Sequence, residues 1–285
     1  MTKRNLVFHV YPFAGNDAWR WNLAQLRQRI DLFDGRRIIA IAYDGDTVHP
    51  SAVSWELRGL GCEYIRCHNN PQLGETVTWL PPWEAVEGAP GVTFRAHAKG
   101  VSPWDKRQTM RFGREISNIF GKVTETVKPL GLSFDRVPAA PDRMEAMRLW
   151  TDILYQANLD HWPAVEALLE THPIVGALKQ NYAGPAKADC SPEMLQHFGD
   201  FWPPHQFLGS FYWVRNADFF ARNWRGIAQS FYGVETWPGF HFSAAEAGCV
   251  FYETFGTTPV EKLDFLQGRL LPALEAWKAE RQVTA

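Results

Sequence analysis

Between Arg37 and Tyr43 the chain reads Arg-Ile-Ile-Ala-Ile-Ala-Tyr, five apolar residues in a row with no polar break. A strand with one wet face alternates apolar and polar side chains. A run without alternation is apolar on both faces and belongs inside a mostly parallel sheet. The surrounding sequence agrees. Residues 5–11 are a β-branched and aromatic run that stops at Pro12. Trp19, Leu23, Leu26 and Ile30 then recur at helical spacing. Asp34-Gly35 turns the chain into the central run, and Asp44-Gly45-Asp46 closes it. Residues 51–60 predict a short helix, 63–67 a third strand, 74–86 a helix interrupted at Pro81-Pro82, and 92–98 a fourth strand. This β-α-β-α-β-α-β order predicts an α/β fold: a mostly parallel sheet with helices on both faces.

The second half is less regular. The stretch 105–142 begins basic, ends rich in Gly and Pro, and reads as a helical insertion or lid. Helical periodicity over 144–169 breaks near Pro163. The pattern predicts strands at 173–178 and 207–214, the latter with Gly209 and Ser210 inside it. It predicts helices at 217–230, at 242–253 after a Pro-Gly turn, and at 260–281. The chain has no internal repeat.

A net charge of −2 gives no general basic footprint, so tight sequence-independent binding to nucleic acid is not expected. With 46% hydrophobic residues there is material for a full core. The thirteen Trp residues suit thick cores as well as stacking platforms for sugars or bases. Cys62, Cys67, Cys190 and Cys249 have no metal-site spacing and read as free thiols of a reducing compartment. No apolar run approaches the roughly 20 residues that span a bilayer. The expectation is a soluble cytoplasmic protein without a membrane span.

Ligands of open α/β sheets bind beyond the carboxyl ends of the strands. The predicted fourth strand runs straight into His97, Lys99 and Gly100. Two cationic or donor side chains and a glycine suit an anionic ligand. Asp44 and Asp46 form a D-x-D after the second strand. The pair can share a divalent cation, or Asp44 can accept hydrogen bonds from a nucleoside. Ser210-Phe-Tyr-Trp-Val-Arg215 joins an aromatic wall to a cation, with Trp213 and Arg215 as candidate ligand contacts. Glu235-Thr-Trp237-Pro-Gly-Phe-His241 gathers a carboxylate, an indole and an imidazole around a Pro-Gly turn. Glu235 is a candidate general base, and Glu246 fits the N3 position of a capping box begun by Ser243. No G-x-S-x-G elbow, P-loop, H-E-x-x-H or complete G-x-G-x-x-G is present.

His97-Ala-Lys99-Gly100-Val, Gly209-Ser-Phe-Tyr-Trp213 and the acidic-aromatic segment from Glu235 to His241 together resemble a group of bacterial glycosyltransferase-like proteins. Trp19, Trp21 and Asn22 after the first strand fit the same group. The resemblance implies one GT-A-like domain over 1–285. A nucleotide-sugar half would cover 1–104, the insertion 105–142, and an acceptor half 143–285. It implies transfer of a sugar from a UDP- or GDP-sugar donor to a hydroxyl acceptor. Tyr11, Asp44, Asp46, His97, Lys99 and Gly100 would hold the donor. Trp213, Arg215, Trp237 and His241 would hold a carbohydrate or other acceptor. Glu235, His97 and Lys99 would be catalytic. In ordinary GT-A enzymes a metal-binding D-x-D follows the fourth strand. Here His97-Ala98-Lys99 stands in that place, with Lys106, Arg107, Arg111 and Arg114 downstream; the departure implies either that protein cations neutralise the departing diphosphate or that the donor activity is lost, and it leaves the need for a divalent metal open. Two other readings share these motifs: a non-catalytic carbohydrate- or nucleotide-binding module, and a phage-type transferase that glycosylates modified DNA bases.

Overall fold

A computed structural model describes residues 2–98, 141–182, 203–256, 258–260 and 262–282. The expected alternation is present: β1 (Arg4–Val10), α1 (Ala18–Gln28), β2 (Arg37–Tyr43), α2 (Ser51–Glu56), β3 (Glu63–His68), a 3-10 turn at Gly74–Thr78, α3 (Leu80–Val86) and β4 (Val92–His97). Then come α4 (Pro141–Tyr155), α5 (Trp162–Thr171), β5 (Ile174–Ala177), β6 (Lys179–Asn181), β7 (His205–Phe207), β8 (Tyr212–Arg215) and α6 (Asn216–Phe220). The chain ends with α7 (Gly233–His241), β9 (Ala247–Phe251), β10 (Thr254–Phe255) and α8 (Leu271–Gln282), the last entered through the helical turns of residues 263–270.

Seven strands form one sheet in the order β3-β2-β1-β4-β8-β5-β9. Every pairing is parallel except those of β8, which runs against both β4 and β5. A small sheet, β10-β6-β7, lies beside it. The fold is therefore α/β with a mostly parallel sheet and helices on both faces. Side chains alternate between two cores, as the period of two in a strand requires. Leu6, Phe8, Val10, Ile39, Ile41 and Phe94 pack with α1, α4, α5 and α8 on one face. Val7 and Ile38 pack with α3, α6 and α7 on the other. Most of the tryptophans are spent here. Trp83 stacks on Phe219 at 3.9 Å, and Trp237 lies 5.2 Å from Trp79.

Four expectations need correction. The strand predicted at 207–214 is two strands, parted by a turn in which Gly209 (φ 87°) and Ser210 (φ 56°) are both left-handed. The helix predicted at 217–230 ends at Phe220, because Trp224 turns back to accept the Trp79 indole N–H at 2.9 Å. The helix predicted at 242–253 is a strand over Ala247–Phe251. The Ser243–Glu246 capping box does form, with the Ser243 N–H and hydroxyl donating to Glu246 at 2.8 and 2.9 Å. It closes a single turn, after which pairing with β5 overrides helical propensity. Pro238-Gly239 is not a turn but part of α7. Gly239 lets the helix press on β7, since a Cβ there would come 2.1 Å from the His205 carbonyl oxygen. Of the insertion expected over 105–142, residues 105–140 lie outside the described residues, and Pro141 and Asp142 open α4.

Candidate functional site

Parallel pairing brings the carboxyl ends of β1, β2 and β3 to one edge of the sheet. The residues that follow are tied to one another. The Tyr11 hydroxyl donates to the Asp44 carboxylate and stands 3.0 Å from each oxygen. Asn69 Nδ2 donates to Asp44 Oδ2 at 2.7 Å, and the Asp46 backbone N–H donates to Oδ1 at 2.9 Å. The loops behind are joined as well. The Val48 N–H donates to the Pro12 carbonyl and the Ala14 N–H to the Asp46 carbonyl, each at 2.9 Å. Asp44 thus sits half-buried at the centre of a preorganised edge, and Asp46 is exposed beside it. Among the described residues no group of three or more His, Cys, Asp or Glu side chains is placed to hold a metal ion.

The end of β4 is built differently. Thr93, Arg95 and His97 point to one face of this buried strand, and His9 of β1 stands in register with His97. The Glu75 carboxylate, from the 3-10 turn, bridges Arg95 and His97. Arg95 Nη1 also donates to the Ser210 carbonyl at 2.8 Å, and His97 Nε2 lies 2.9 Å from the Gly209 carbonyl. Two successive left-handed residues expose those carbonyls to the cations, so the ion pair and the strained turn fix each other. Burial pushes the Glu75 carboxyl up, but His97 and Arg95 outweigh this and hold it well below the usual carboxylate range. Burial takes His9 down to about 4, against the pull of Glu75 and with the push of Arg95. His9 is therefore neutral at pH 7. The Thr78 hydroxyl donates to the Glu75 carbonyl at 3.0 Å, so it accepts from His9 Nδ1 at 2.6 Å, which assigns the proton to Nδ1. The cavity beside this cluster is about 10 Å³, room for about one water. The cluster is a support, not a pocket.

Tyr11, Asp44, Asp46 and His97 all lie at the carboxyl edge. His97 is nearly sealed, and both its ring nitrogens face protein oxygens, so it meets a ligand only by releasing Glu75 or Gly209. That geometry corrects the expectation of direct diphosphate contact. Lys99, Gly100 and the basic residues 106–114 lie outside the described residues. Glu235 occupies the first turn of α7 and is half-buried. The segment before it is docked on the 3-10 turn that carries Glu75, through the Thr76 hydroxyl on the Ser230 carbonyl at 2.8 Å.

The expected acceptor residues do not gather into an open surface. Trp213 is 0% exposed, enclosed by Phe33, Phe94 and Trp162, with its N–H on the Asn158 carbonyl at 3.0 Å. Trp237 is 1% exposed within the second core. Arg215 pairs in register with Val92 at the start of β4, the opposite edge of the sheet, and binds Asp218 at 2.7 Å. His241 ends α7, stacked on Trp237 at 4.4 Å with Nε2 toward the Gly226 carbonyl, and burial lowers its pKa. All four serve packing or local pairing. The sequence reading missed Glu75, Arg95, His9 and Asn69. The period-two polar stripe Thr93-Arg95-His97 in an otherwise apolar strand was the available signal.

No protein-family model and no curated protein matches the chain. Among solved structures it is similar to a mycobacterial protein at 9% identity and TM-score 0.41, over 97% of this chain and 74% of that one. It is also similar to glucosyl-3-phosphoglycerate synthase from Mycobacterium tuberculosis, determined with Mn²⁺, UDP and phosphoglyceric acid. There the identity is 11% and the TM-score 0.37, over 97% of this chain and 78% of that one. Likeness this distant carries no inference about ligand or reaction. No helix among the described residues is long and apolar enough to cross a membrane.

Proposed function

We infer that this chain is a GT-A-like glycosyltransferase that moves a sugar from a nucleoside-diphosphate donor to a hydroxyl acceptor. The observation that carries the reading is the half-buried Asp44 carboxylate, fixed by Tyr11 and Asn69 where three parallel strands end. An acidic group at that place in an open α/β sheet accepts hydrogen bonds from a nucleoside. The diphosphate then runs toward the end of β4, where Lys99 is the cation the sequence supplies. Glu75, Arg95 and His97 hold the end of that strand rigid behind Lys99. Preorganised positive charge beside a departing diphosphate lowers the barrier because it needs no reorganisation as charge develops. Glu235, at the N-terminal turn of α7, is the candidate base for the acceptor hydroxyl. The basic residues available make a divalent metal dispensable.

The test is nucleoside-diphosphate release from a panel of UDP- and GDP-sugars, with and without Mn²⁺, alongside binding of UDP and GDP. Release that persists in EDTA and falls in Glu235→Gln supports the whole reading. Tight nucleotide binding with no release from any donor identifies a binding module instead. A steep salt dependence of binding to DNA points to a nucleic-acid acceptor.

A further inference from the structure

His97 ends β4 between two oxygens that belong to different parts of the chain. Its Nδ1 faces the Glu75 carboxylate of the 3-10 turn, and its Nε2 lies 2.9 Å from the Gly209 carbonyl, in the turn between β7 and β8. A carbonyl only accepts. The carboxylate only accepts as well, because Arg95 binds it and it stays ionised. Both ring nitrogens therefore donate, and an imidazole with two N–H groups is the imidazolium. The opposite ring assignment would set two carbons against the two oxygens and lose both contacts. Among the described residues, Glu75 faces His97 from the 3-10 turn, Arg95 stands two residues back on the same face of β4, and His9 stands beside it on β1 with ring centres 6.5 Å apart. Tyr212 of β8 lies within electrostatic reach of Arg95 and Glu75. Arg95 donates to the next carbonyl, that of Ser210, at 2.8 Å, from a guanidinium that keeps its charge at any working pH. Two neighbouring left-handed residues are thus clamped by two cations, one permanent and one that depends on a single proton.

We propose that His97 is a proton-dependent latch: as an imidazolium it ties the Glu75 turn to the Gly209–Ser210 turn across the end of β4, and as a neutral imidazole it lets Gly209 go. The inference is independent of the nucleotide-donor reading. When one proton leaves to water, the other stays on Nδ1, since an N–H donates more strongly to a carboxylate than to an amide carbonyl. Nε2 then turns a lone pair on the Gly209 oxygen, 2.9 Å away. Two acceptors at that distance have no proton to share, so the contact opens and the ring nitrogen is bared. Ser210 stays on Arg95, which limits the movement to the Gly209 side of the turn. Histidine is the side chain suited to such a device, because its ordinary value of about 6.5 places the change in charge near neutral pH.

Nitrogen-15 NMR of the wild-type chain tests this without any substitution, with the His97 ring signals assigned through the residue's own side-chain carbons. At pH 7.5 a free imidazole is about nine-tenths neutral. The latch predicts that both ring nitrogens of His97 are still protonated there. As pH rises further, one proton should leave and Nδ1 should keep the other. The backbone amide of Ser210, which shares a peptide group with the Gly209 carbonyl, should shift with the same midpoint. The amide of Phe211, which shares one with the Ser210 carbonyl held by Arg95, should shift less. A His97 ring with a single N–H at pH 7.5 overturns the proposal. So does loss of the His97 proton with no shift at Ser210, or a last proton kept on Nε2, which would make Glu75 the contact released. If both protons persist until the chain unfolds, His97 is a fixed ion-pair partner and the latch is refuted.

Discussion

Acidification from pH 7 to pH 5 should weaken this fold through two buried histidines. His9 and His205 are both lowered from an ordinary 6.5 to about 4, chiefly by burial. Among the described residues, His205 has no hydrogen-bond partner at either ring nitrogen. A histidine with a depressed folded pKa contributes its full stability above 6.5, where both states are neutral. That stability is lost as pH falls toward 4, because only the unfolded chain takes up the proton. Each group contributes a slope of about 1.4 kcal/mol per pH unit within that window. From pH 7 to 5 this amounts to about 2 kcal/mol per histidine and about 4 kcal/mol for the pair. His161 and His241 are lowered as well and act in the same direction. The carboxylates Glu75, Glu246 and Glu253 are depressed and lose their contribution only below their ordinary values, so the window above pH 5 belongs to the histidines. Denaturant unfolding at half-unit intervals reads the slope directly. His205→Gln should remove about 1.4 kcal/mol per pH unit from it. A stability that is flat between pH 7 and 5, or a slope unchanged in His205→Gln, would show that this histidine is charged or hydrated in the fold and would refute the argument.

Glu75→Gln leaves Arg95 and His97 without their carboxylate and should cost about 3–5 kcal/mol in denaturant unfolding, the range for breaking a buried ion pair. Trp213→Ala should cost a similar ~3–5 kcal/mol, as a large aromatic deleted from a core does. An acceptor KM that rises with no loss of stability would instead return Trp213 to the site. Lys99→Ala should weaken UDP or GDP binding by about ten- to a hundred-fold, the loss of one charge-assisted contact, measured by calorimetry. Glu235→Gln should lower turnover at least ~100-fold with donor affinity and melting temperature nearly unchanged. A fall in melting temperature with near-normal turnover would mark Glu235 as structural.

The sheet was legible because its strands are locally unambiguous. Residues 38–42 are apolar throughout, and the strand read over 37–43 returns with the same bounds as β2. Asp44 and His97 could be placed at one edge because Asp44 directly follows a strand and His97 ends one, and parallel order aligns strand ends. The acceptor residues misled for a physical reason. An aromatic strand carries the same letters whether it lines a cleft or fills a core, and Trp213 and Trp237 fill cores. Periodicity likewise could not tell the Ala247–Phe251 strand from a helix, because its neighbour β5 lies some seventy residues earlier in the chain. Glu75 escaped notice because its partners Arg95 and His97 come from β4, a separate element some twenty residues later, a convergence that only the folded chain creates.

The account stands on Asp44 as the anchor of a nucleotide. Calorimetric titration of UDP and GDP in EDTA into the wild-type chain and Asp44→Asn measures this most directly. The account predicts metal-independent binding of at least one of the two nucleotides. It also predicts at least about ten-fold weaker binding in Asp44→Asn, which keeps the shape and removes the charge. Equal affinity in the two proteins, or no binding of either nucleotide by the wild type, would contradict it.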